Sequence, residues 1–312
     1  MKSILPFFKI IRWTNLLFIA LTQYLFYHVV FYALLPEGIN YPFSQNQEFF
    51  IYIMMASVLI AAAGYIINDY FDVQIDLVNK PDKVFIDKSI KRRWAIVWHA
   101  NLSLAGLLLT WYVTRKTGLK TVLLGNIFAV FGLWFYSTYL KKKLLIGNFM
   151  IAGLTAWSIG VIYFLAGGHL FNYKYVFAFN INYWVKITAL YTVFAFVLTL
   201  VREVVKDLED IPGDMAHGCT TMPIVWGVRV SKLFAGVWLL VCIFALTCLC
   251  LYFIQKAWWG IGLYTILLLV TPMVLVLIKL RKAVTPKDYH QVSTGLKFIM
   301  AAGIATMLFF LK

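Results

Sequence analysis

Acidic residues are scarce in this sequence, with 13 Asp and Glu against 28 Lys and Arg in 312 residues, which gives a formal net charge of +15. Charged residues of both signs make up 13% of the chain, about half of the share that soluble domains carry. Apolar types make up 62%, and the mean hydropathy is +0.82. This composition excludes a soluble domain with one ordinary core and indicates a polytopic membrane protein.

Cysteine is also scarce, and the four cysteines follow no known framework. Cys242, Cys248 and Cys250 lie in one apolar segment, and Cys219 stands alone in a polar one. This pattern excludes a disulfide scaffold and a C-x-x-C metal site. The sequence lacks a polybasic tail and RNA-binding motifs, because its basic residues are spread over several short loops, so we predict no nucleic-acid partner. No feature of the sequence identifies a protein partner.

The apolar residues form nine runs that are long enough to cross a bilayer as helices, which takes about 20 residues. We therefore predict an all-α fold, a bundle of nine transmembrane helices in a single integral membrane domain over residues 1–312. Its first span is too long for the apolar part of a signal peptide and is expected to stay as an anchor. The predicted spans are approximately 13–35, 49–67, 94–114, 119–139, 144–166, 183–204, 231–254, 258–279 and 291–311.

Lys and Arg are divided unequally between the two sets of loops that nine spans create. One set holds 20 of them, and the opposite set holds 7. Basic residues accumulate in cytoplasmic loops, so we predict that the richer set and the N-terminus are cytoplasmic, in a bacterial or archaeal cytoplasmic membrane. The richer set consists of the N-terminal segment and loops 68–93, 140–143, 202–232 and 279–290.

Ten of the 13 acidic residues lie in two short segments, each beginning where a predicted span ends. Within the two segments, three carboxylates recur with the same spacing at an offset of 138 residues, so that Asp69, Asp72 and Asp76 align with Asp207, Asp210 and Asp214. The acids of the two segments are Asp69, Asp72, Asp76, Asp82 and Asp87, and Glu203, Asp207, Glu209, Asp210 and Asp214.

The spacing i, i+3, i+7 places three side chains on one face of a helix. Like charges so close to the bilayer repel each other unless something neutralises them. Carboxylate oxygens suit hard cations, and Mg²⁺ in particular is usually held by a few carboxylates together with phosphate oxygens. A solvated helix end is the plain alternative, but it does not explain why the spacing recurs. Pro212 and Gly213 are expected to break or kink the second helix before Asp214.

Both segments resemble motifs of one family. Asn68-Asp69-x-x-Asp72-x-x-x-Asp76 resembles the first aspartate-rich motif of the UbiA superfamily of intramembrane prenyltransferases, and the run from Arg202 to Asp214 resembles the second. The stretch 218–224, Gly-Cys-Thr-Thr-Met-Pro-Ile, followed by Gly227, is similar to the usual continuation in that family. Nine spans with cytoplasmic motifs also match it. The resemblance therefore covers essentially the whole chain.

The resemblance implies a Mg²⁺-dependent enzyme that binds a prenyl diphosphate head-down in the helical bundle, with the diphosphate held through Mg²⁺ between the two motifs. Cleavage of the allylic C–O bond would release diphosphate, and a lipophilic acceptor would attack the resulting carbocation. Membrane lipids would surround the bundle. By their place in the motifs, the metal-binding residues would be Asn68, Asp72, Asp76, Asp210 and Asp214, with Asp69 and Asp207 as supporting ligands.

The resemblance also points to polar side chains around the substrates. Lys206 and Arg202 would bind the diphosphate, and Asp72, Asp210 and Lys206 would carry the catalysis, although cytoplasmic charge bias explains Arg202 equally well. Lys80 and Lys83, further candidates for substrate binding, follow the first motif, where many relatives carry arginines and a Pro-Ile-Pro turn. This difference weakens the inference of the acceptor from those relatives. The remaining candidates for the substrate pocket are Tyr136, Lys141, Arg12 and Asn15.

Several functions remain open within and beyond this family. The form of the second motif is most similar to the branch that prenylates geranylgeranylglyceryl phosphate, and an aromatic quinone precursor is the alternative acceptor. The superfamily also contains terpene cyclases, which use no acceptor. A cation transporter would be a different class of protein, and it predicts carboxylates in the middle of spans rather than at their ends.

Overall fold

A computed structural model describes residues 4–35, 43–172 and 181–311, and these residues are helical along nearly their whole length. Short π-helical or 3₁₀ segments interrupt or connect the regular helices at Phe26–Phe31, Pro81–Lys83, Leu140–Lys142, Thr265–Val270 and Thr306–Phe310. The α-helices of the described ranges are α1 Ile4–Ile10, α2 Trp13–Leu25, α3 Phe43–Asn79, α4 Arg92–Thr117, α5 Lys120–Thr138, α6 Ile146–Asn172, α7 Ile181–Glu209, α8 Ile211–Ala216, α9 Met222–Val225, α10 Gly227–Gln255, α11 Trp259–Tyr264, α12 Thr271–Lys282 and α13 Pro286–Ala305.

Nine stretches of the described chain are long and apolar enough to cross a membrane, as predicted, so the all-α, nine-span fold of a multi-pass membrane protein is confirmed. The orientation of the N-terminus and the single domain stay predictions. The nine stretches are Trp13–Phe31, Gln47–Asn79, Arg92–Thr117, Lys120–Thr138, Ile146–Gly167, Asn182–Glu209, Gly227–Gln255, Trp259–Lys282 and Pro286–Phe310.

Two predicted boundaries were wrong at the places that carry the acidic segments. The second predicted span ended at residue 67, but α3 continues to Asn79. The sixth ended at residue 204, but α7 continues to Glu209. Charged residues end an apolar run without ending a helix, because the backbone hydrogen bonds of a helix do not depend on side-chain polarity. The first motif and the start of the second are therefore helical, as the spacing of their carboxylates predicts, and they continue the membrane-spanning helices α3 and α7.

Contacts group the described residues into two compact units. The first unit takes its residues from Met1–Leu140, Leu154–Thr192 and Phe310–Lys312, and the second from Lys141–Gly153 and Val193–Phe309. The first unit thus contains α3 with the first motif, and the second contains the end of α7 with the second motif.

In the first unit, the segment that follows the first motif folds into an apolar cluster. Val84, Ile86 and Ile90 are buried there with residues of α1, α3 and α4. A bridge joins Ile86 to Ile90, and Asp87 in the turn has a φ of 68° and an ion pair with Arg92 of 3.2 Å. Buried β-branched residues therefore anchor this segment, at the place where many family members were expected to carry a proline-rich turn.

A chain of side-chain hydrogen bonds joins three helices of the first unit. Trp157 Nε1 on α6 donates to Asn126 Oδ1 on α5 (2.9 Å), and Asn126 Nδ2 donates to Thr110 Oγ1 on α4 (2.9 Å). In a bilayer such bonds hold helices together because lipid offers polar groups no other partner. The Trp157 ring lies against Gly125, where it occupies the space that a Cβ atom would need.

The second unit is built around one large apolar cluster. One face of α7, including Val201, Val204 and Leu208, is buried in this cluster with residues of α10, α12 and α13. Lys232 at the start of α10 donates to the carbonyl oxygens of Arg281 (2.8 Å) and Ala283 (2.9 Å), which satisfies acceptors at the end of α12. The last turns of α7 are thus fixed by packing along their length.

The contact at Gly125 leads to a test of this packing. We expect Gly125→Ala to lower the free energy of unfolding by about 1–3 kcal/mol, because the new methyl group would overlap the Trp157 ring. Gly153→Ala is the matched control, since a Cβ atom there would have no heavy atom within 4 Å. Apparent melting temperatures in detergent should fall for the first variant and not for the second. Equal melting temperatures would contradict the described contact.

Candidate active site

The first motif occupies the last three turns of α3. Asn68, Asp69, Asp72 and Asp76 are all partly buried there. Asn68 Nδ2 donates to Asp72 Oδ2 over 2.8 Å, as the distance of one helical turn between them allows. The Asp72 carboxylate is therefore oriented from within its own helix.

Asp69 is held by a residue from the start of the preceding membrane helix. Arg12 Nη2 lies 2.7 Å from Asp69 Oδ1 in an ion pair. The Arg12 guanidinium also lies over the ring of Tyr65, 5.1 Å from its centroid. Arg12 stands immediately before α2 with a left-handed backbone, φ 52°. The structure thus brings the predicted Arg12 to the first motif through Asp69.

The second motif spans a break between two helices. α7 ends at Glu209, and the short α8 begins after Asp210, which confirms the break expected at Pro212 and Gly213. Asp214 lies buried in α8, and Thr221 Oγ1 is 3.5 Å from its Oδ2, at the outer limit of a hydrogen bond. Backbone hydrogen bonds of helical spacing continue across the break, from Asp210 N to Lys206 O (2.9 Å) and from Asp214 N to Asp210 O (3.1 Å).

Asp207 in the last turn of α7 is held by an amide. Asn148 Nδ2 donates to Asp207 Oδ2 over 2.8 Å, and the Asn148 side chain is buried near the start of α6. Asn148 was not among the predicted site residues. The signal in the sequence was an Asn just inside an apolar span, where an amide needs a polar partner.

The two cations of the second motif share one buried carboxylate. Lys206 Nζ donates to both oxygens of Glu203, at 3.0 and 2.8 Å, and Arg202 Nη1 lies 3.4 Å from Glu203 Oε1. Glu203 is buried, whereas Lys206 and Arg202 are about a quarter exposed. Sequence reasoning missed the role of Glu203, although its spacing of three residues from Lys206 is that of a helical ion pair.

The other predicted substrate residues lie near helix ends. Asn15 is in the first turn of α2, and Tyr136 is in the last turn of α5. Lys141 belongs to the 3₁₀ turn Leu140–Lys142. Lys80 precedes the turn Pro81–Lys83, and the side chain of Lys83 lies outside the described residues. The structure assigns none of these five to a substrate.

No three His, Cys, Asp or Glu side chains among the described residues lie close enough together to hold a metal ion by themselves. Such a three-residue cage is not what Mg²⁺ requires, because it usually takes one or two carboxylates and completes its octahedron with water and substrate phosphate oxygens. Asp72 with Asn68, and Asp210 with Asp214, supply hard oxygen donors of that kind. The donor set therefore fits Mg²⁺ that arrives with a phosphate-bearing ligand.

The geometry described above agrees with a comparison against protein families. Residues 14–300 match the family model described as the UbiA prenyltransferase family. The chain belongs to this family. The match includes both aspartate-rich motifs and leaves out only the two ends of the chain, so the family predicted from the motifs is confirmed.

Curated relatives in the UbiA family include several digeranylgeranylglyceryl phosphate synthases. The one from Methanothermobacter thermautotrophicus is 34% identical over 192 residues, which cover 61% of this chain and 61% of the relative. The one from Methanothrix thermoacetophila is 35% identical over 61% of this chain and 64% of its own length. The one from Methanobrevibacter smithii is 29% identical over 74% of this chain and 72% of its own length. The chain therefore covers less than two thirds of the length of the first two relatives.

Solved structures with UbiA homology share the fold. A UbiA homolog from Aeropyrum pernix has a TM-score of 0.60 at 14% identity, covering 93% of this chain and 98% of the homolog. A homolog from Archaeoglobus fulgidus, bound to DMAPP and Mg²⁺, has a TM-score of 0.57 at 13% identity and covers 98% of both. A structure from work on digeranylgeranylglyceryl phosphate synthase in membranes has a TM-score of 0.59 at 23% identity. The match covers 99% of this chain and 98% of the solved one. At these identities the likeness supports the fold alone.

The shared carboxylate of Glu203 leads to a prediction about stability. Glu203→Gln keeps the shape of the side chain but removes the negative charge that Lys206 and Arg202 share. Both cations are partly exposed, so solvent screens part of the loss, and we expect a cost of about 1–3 kcal/mol. The apparent melting temperature in detergent should fall by a few degrees.

Two further variants make this measurement decisive. Glu48→Gln is the control, because Glu48 is exposed and a glutamine there can still accept the hydrogen bond from Tyr52, so the melting temperature should stay unchanged. The double variant Glu203→Gln/Lys206→Met should lose less than the sum of the single losses, because the two groups interact. Additive losses would contradict the pairing.

Proposed function

We propose that this protein is a Mg²⁺-dependent prenyltransferase that moves a prenyl group from an allylic diphosphate to a lipophilic acceptor. The observation that carries the proposal is the repeated carboxylate spacing at the ends of α3 and α7, in a chain of the UbiA prenyltransferase family. Mg²⁺ is also present with DMAPP in the Archaeoglobus fulgidus homolog. Dedicated clusters of acids at membrane helix ends are costly without a cation to neutralise them.

In this proposal the metal ligands are Asn68, Asp72, Asp76, Asp210 and Asp214. Mg²⁺ bound to them would neutralise the diphosphate and the charge that develops on it as the allylic C–O bond breaks. Asn68 orients the Asp72 carboxylate through the hydrogen bond described above. Asp214 lies buried in α8, just beyond the break.

Lys206 and Arg202 supply positive charge beside the second motif. Glu203 holds the Lys206 ammonium by both carboxylate oxygens, which limits the rotamers of a side chain that is otherwise flexible. A positioned ammonium can donate to a diphosphate oxygen and favour its departure. The apolar helices around the site would keep water away from the allylic cation, which water would otherwise capture.

The acceptor we propose is geranylgeranylglyceryl phosphate, with geranylgeranyl diphosphate as the donor. The support is the name digeranylgeranylglyceryl phosphate synthase, which the curated relatives share. The form of the second motif favours the same branch. An aromatic quinone precursor, or cyclisation without an acceptor, would be a different outcome of the same assay.

We further propose that the site opens to the cytoplasmic side of a prokaryotic cytoplasmic membrane, as the Lys and Arg bias suggests. In a variant whose four cysteines are replaced by Ala, Asp82→Cys should react with a membrane-impermeant maleimide in inverted vesicles and not in right-side-out ones. Lys256→Cys, in an exposed turn on the predicted opposite side, should show the reverse. Labelling of Asp82→Cys in right-side-out vesicles only would overturn the orientation.

The activity itself is tested by transfer of a radiolabelled geranylgeranyl group in membranes that contain the protein. We expect a labelled product with geranylgeranylglyceryl phosphate, which EDTA abolishes and Mg²⁺ restores. Asp72→Asn and Asp210→Asn should each lower the rate at least about 100-fold, since each removes a charged ligand. Asp82→Asn should keep the wild-type rate, because Asp82 is an exposed acid of the same segment outside the motif.

The possible outcomes separate the proposals. Transfer to an aromatic acid and not to the glycerophosphate would overturn the acceptor but keep the enzyme class. A labelled hydrocarbon formed without any acceptor would indicate a cyclase. No Mg²⁺-dependent product with any acceptor, from protein that remains folded, would overturn the prenyltransferase.

A further inference from the structure

The first carboxylate of each motif has a partner at a corresponding place in the chain. Asp69 and Asp207 are equivalent under the offset of 138 residues. Arg12 binds Asp69 from 57 residues earlier in the chain, and Asn148 binds Asp207 from 59 residues earlier. In both cases the partner lies at the start of a membrane-length helix, and the carboxylate lies near the end of the next one.

The starts of these two helices share an uncommon backbone. Arg12 immediately precedes α2 with a φ of 52°, and Leu145 immediately precedes α6 with a φ of 56°. Residues other than glycine rarely adopt this region, and they do so where surrounding contacts impose it. An Asn follows three residues later in each case, Asn15 in α2 and Asn148 in α6. The two helix starts thus match, although the donor is the left-handed residue itself in one, Arg12, and the Asn three residues later in the other, Asn148.

Each partner is itself held in place. The Arg12 guanidinium is fixed between the Asp69 carboxylate and the face of the Tyr65 ring. The Asn148 amide is buried, and its Nδ2 can reach a strong acceptor in Asp207. Leaving either donor unpaired at the edge of a membrane would cost free energy. Arg12 also cancels the charge of Asp69, which makes that carboxylate a poor ligand for a dication.

We propose that Asp69 and Asp207 are positioning residues rather than metal ligands, and that the pairs Arg12–Asp69 and Asn148–Asp207 each fix a motif helix one turn before its next carboxylate. This inference rests on the proposed function and reassigns two of the seven carboxylate and amide side chains predicted to bind metal. The Arg12–Asp69 pair fixes α3 one turn before Asp72. The Asn148–Asp207 pair fixes the last turn of α7 one turn before Asp210, where the helix breaks.

For the Asn148–Asp207 pair, the structural reason lies in the end of α7. The last turn of a helix lacks intrahelical partners for its carbonyl groups and frays easily. A bond to a distant helix start keeps the last turn of α7 from unwinding further than the break at Asp210. The next carboxylate in each motif, Asp72 or Asp210, follows three residues later. A small rotation of the helix at Asp69 or Asp207 would therefore displace that carboxylate.

Substitution of Asp by Asn separates the two roles. The amide side chain in Asp69→Asn or Asp207→Asn would still present an oxygen to the donor but would bind a cation poorly. We expect these two variants to change the Mg²⁺ concentration for half-maximal thermal stabilisation, at saturating geranylgeranyl diphosphate, by no more than about threefold. Asp72→Asn and Asp210→Asn should raise it by about 10–100-fold or abolish the shift. Mn²⁺ binding followed by EPR should give the same order.

A second set of variants tests the positioning itself. Asn148→Leu removes the donor and Asp207→Leu removes the acceptor. Each should lower kcat by about tenfold at saturating Mg²⁺ while KM for the donor changes little, and the double variant should lose no more than either single one. Asp207→Asn should restore most of the loss seen with Asp207→Leu. All of these rates are measured at temperatures where every variant is folded. Under that condition, residues that only support folding would show neither the rescue nor the non-additive loss of kcat.

The results distinguish this inference from the proposed function. Equal weakening of Mg²⁺ and Mn²⁺ binding by Asp207→Asn and Asp210→Asn, or by Asp69→Asn and Asp72→Asn, would overturn the positioning roles and leave the enzyme intact. Additive losses in kcat for Asn148→Leu and Asp207→Leu would overturn them as well. If Mg²⁺ and geranylgeranyl diphosphate did not raise the melting temperature of the wild-type protein, the proposed function itself would be contradicted.

Discussion

Carboxyl side chains at the ends of membrane helices are the constraint on which the rest of this structure depends. Charges beside a low-dielectric bilayer are unfavourable unless opposite charge or hydrogen-bond donors compensate them. The chain keeps acids out of nearly all its spans and concentrates ten of 13 in two segments. Each segment therefore needs its own compensation, and the surrounding side chains supply part of it. We propose that Mg²⁺ and a diphosphate supply the remainder.

Within each unit, different chemistry meets the same need. In the first unit the Arg12 guanidinium neutralises Asp69. In the second unit the neutral Asn148 amide binds Asp207, and positive charge comes from the motif itself, with Lys206 paired to the buried Glu203. The apolar clusters behind α3 and α7 hold the helices that carry these groups. Packing thus fixes the helices, and polar pairs fix their ends, which is the precision a catalytic site needs.

Much of this architecture could be predicted because it depends on local pattern. Apolar runs of about 20 residues identify membrane helices, and Pro212 with Gly213 predicted the break after Asp210. The lengths of α3 and α7 could not be read from hydropathy, since their last turns are polar. The partners of Asp69 and Asp207 were also missed. Contacts across 57 or 59 residues depend on how helices pack, and no periodicity in one sequence encodes that. The resemblance to the family predicted Arg12 as a site residue, but it did not predict the bond from Arg12 to Asp69.

The most direct test of the central claim is the position of the metal. A structure of the protein with Mn²⁺ and a non-hydrolysable geranylgeranyl thiodiphosphate, phased with anomalous scattering from manganese, would locate it. The account predicts metal ions at about 2.0–2.3 Å from carboxylate oxygens of Asp72 or Asp76 and of Asp210 or Asp214. Asp69 should remain bound to Arg12, and Asp207 should remain bound to Asn148. Manganese bound away from these motifs, or coordinated by Asp69 and Asp207, would contradict it.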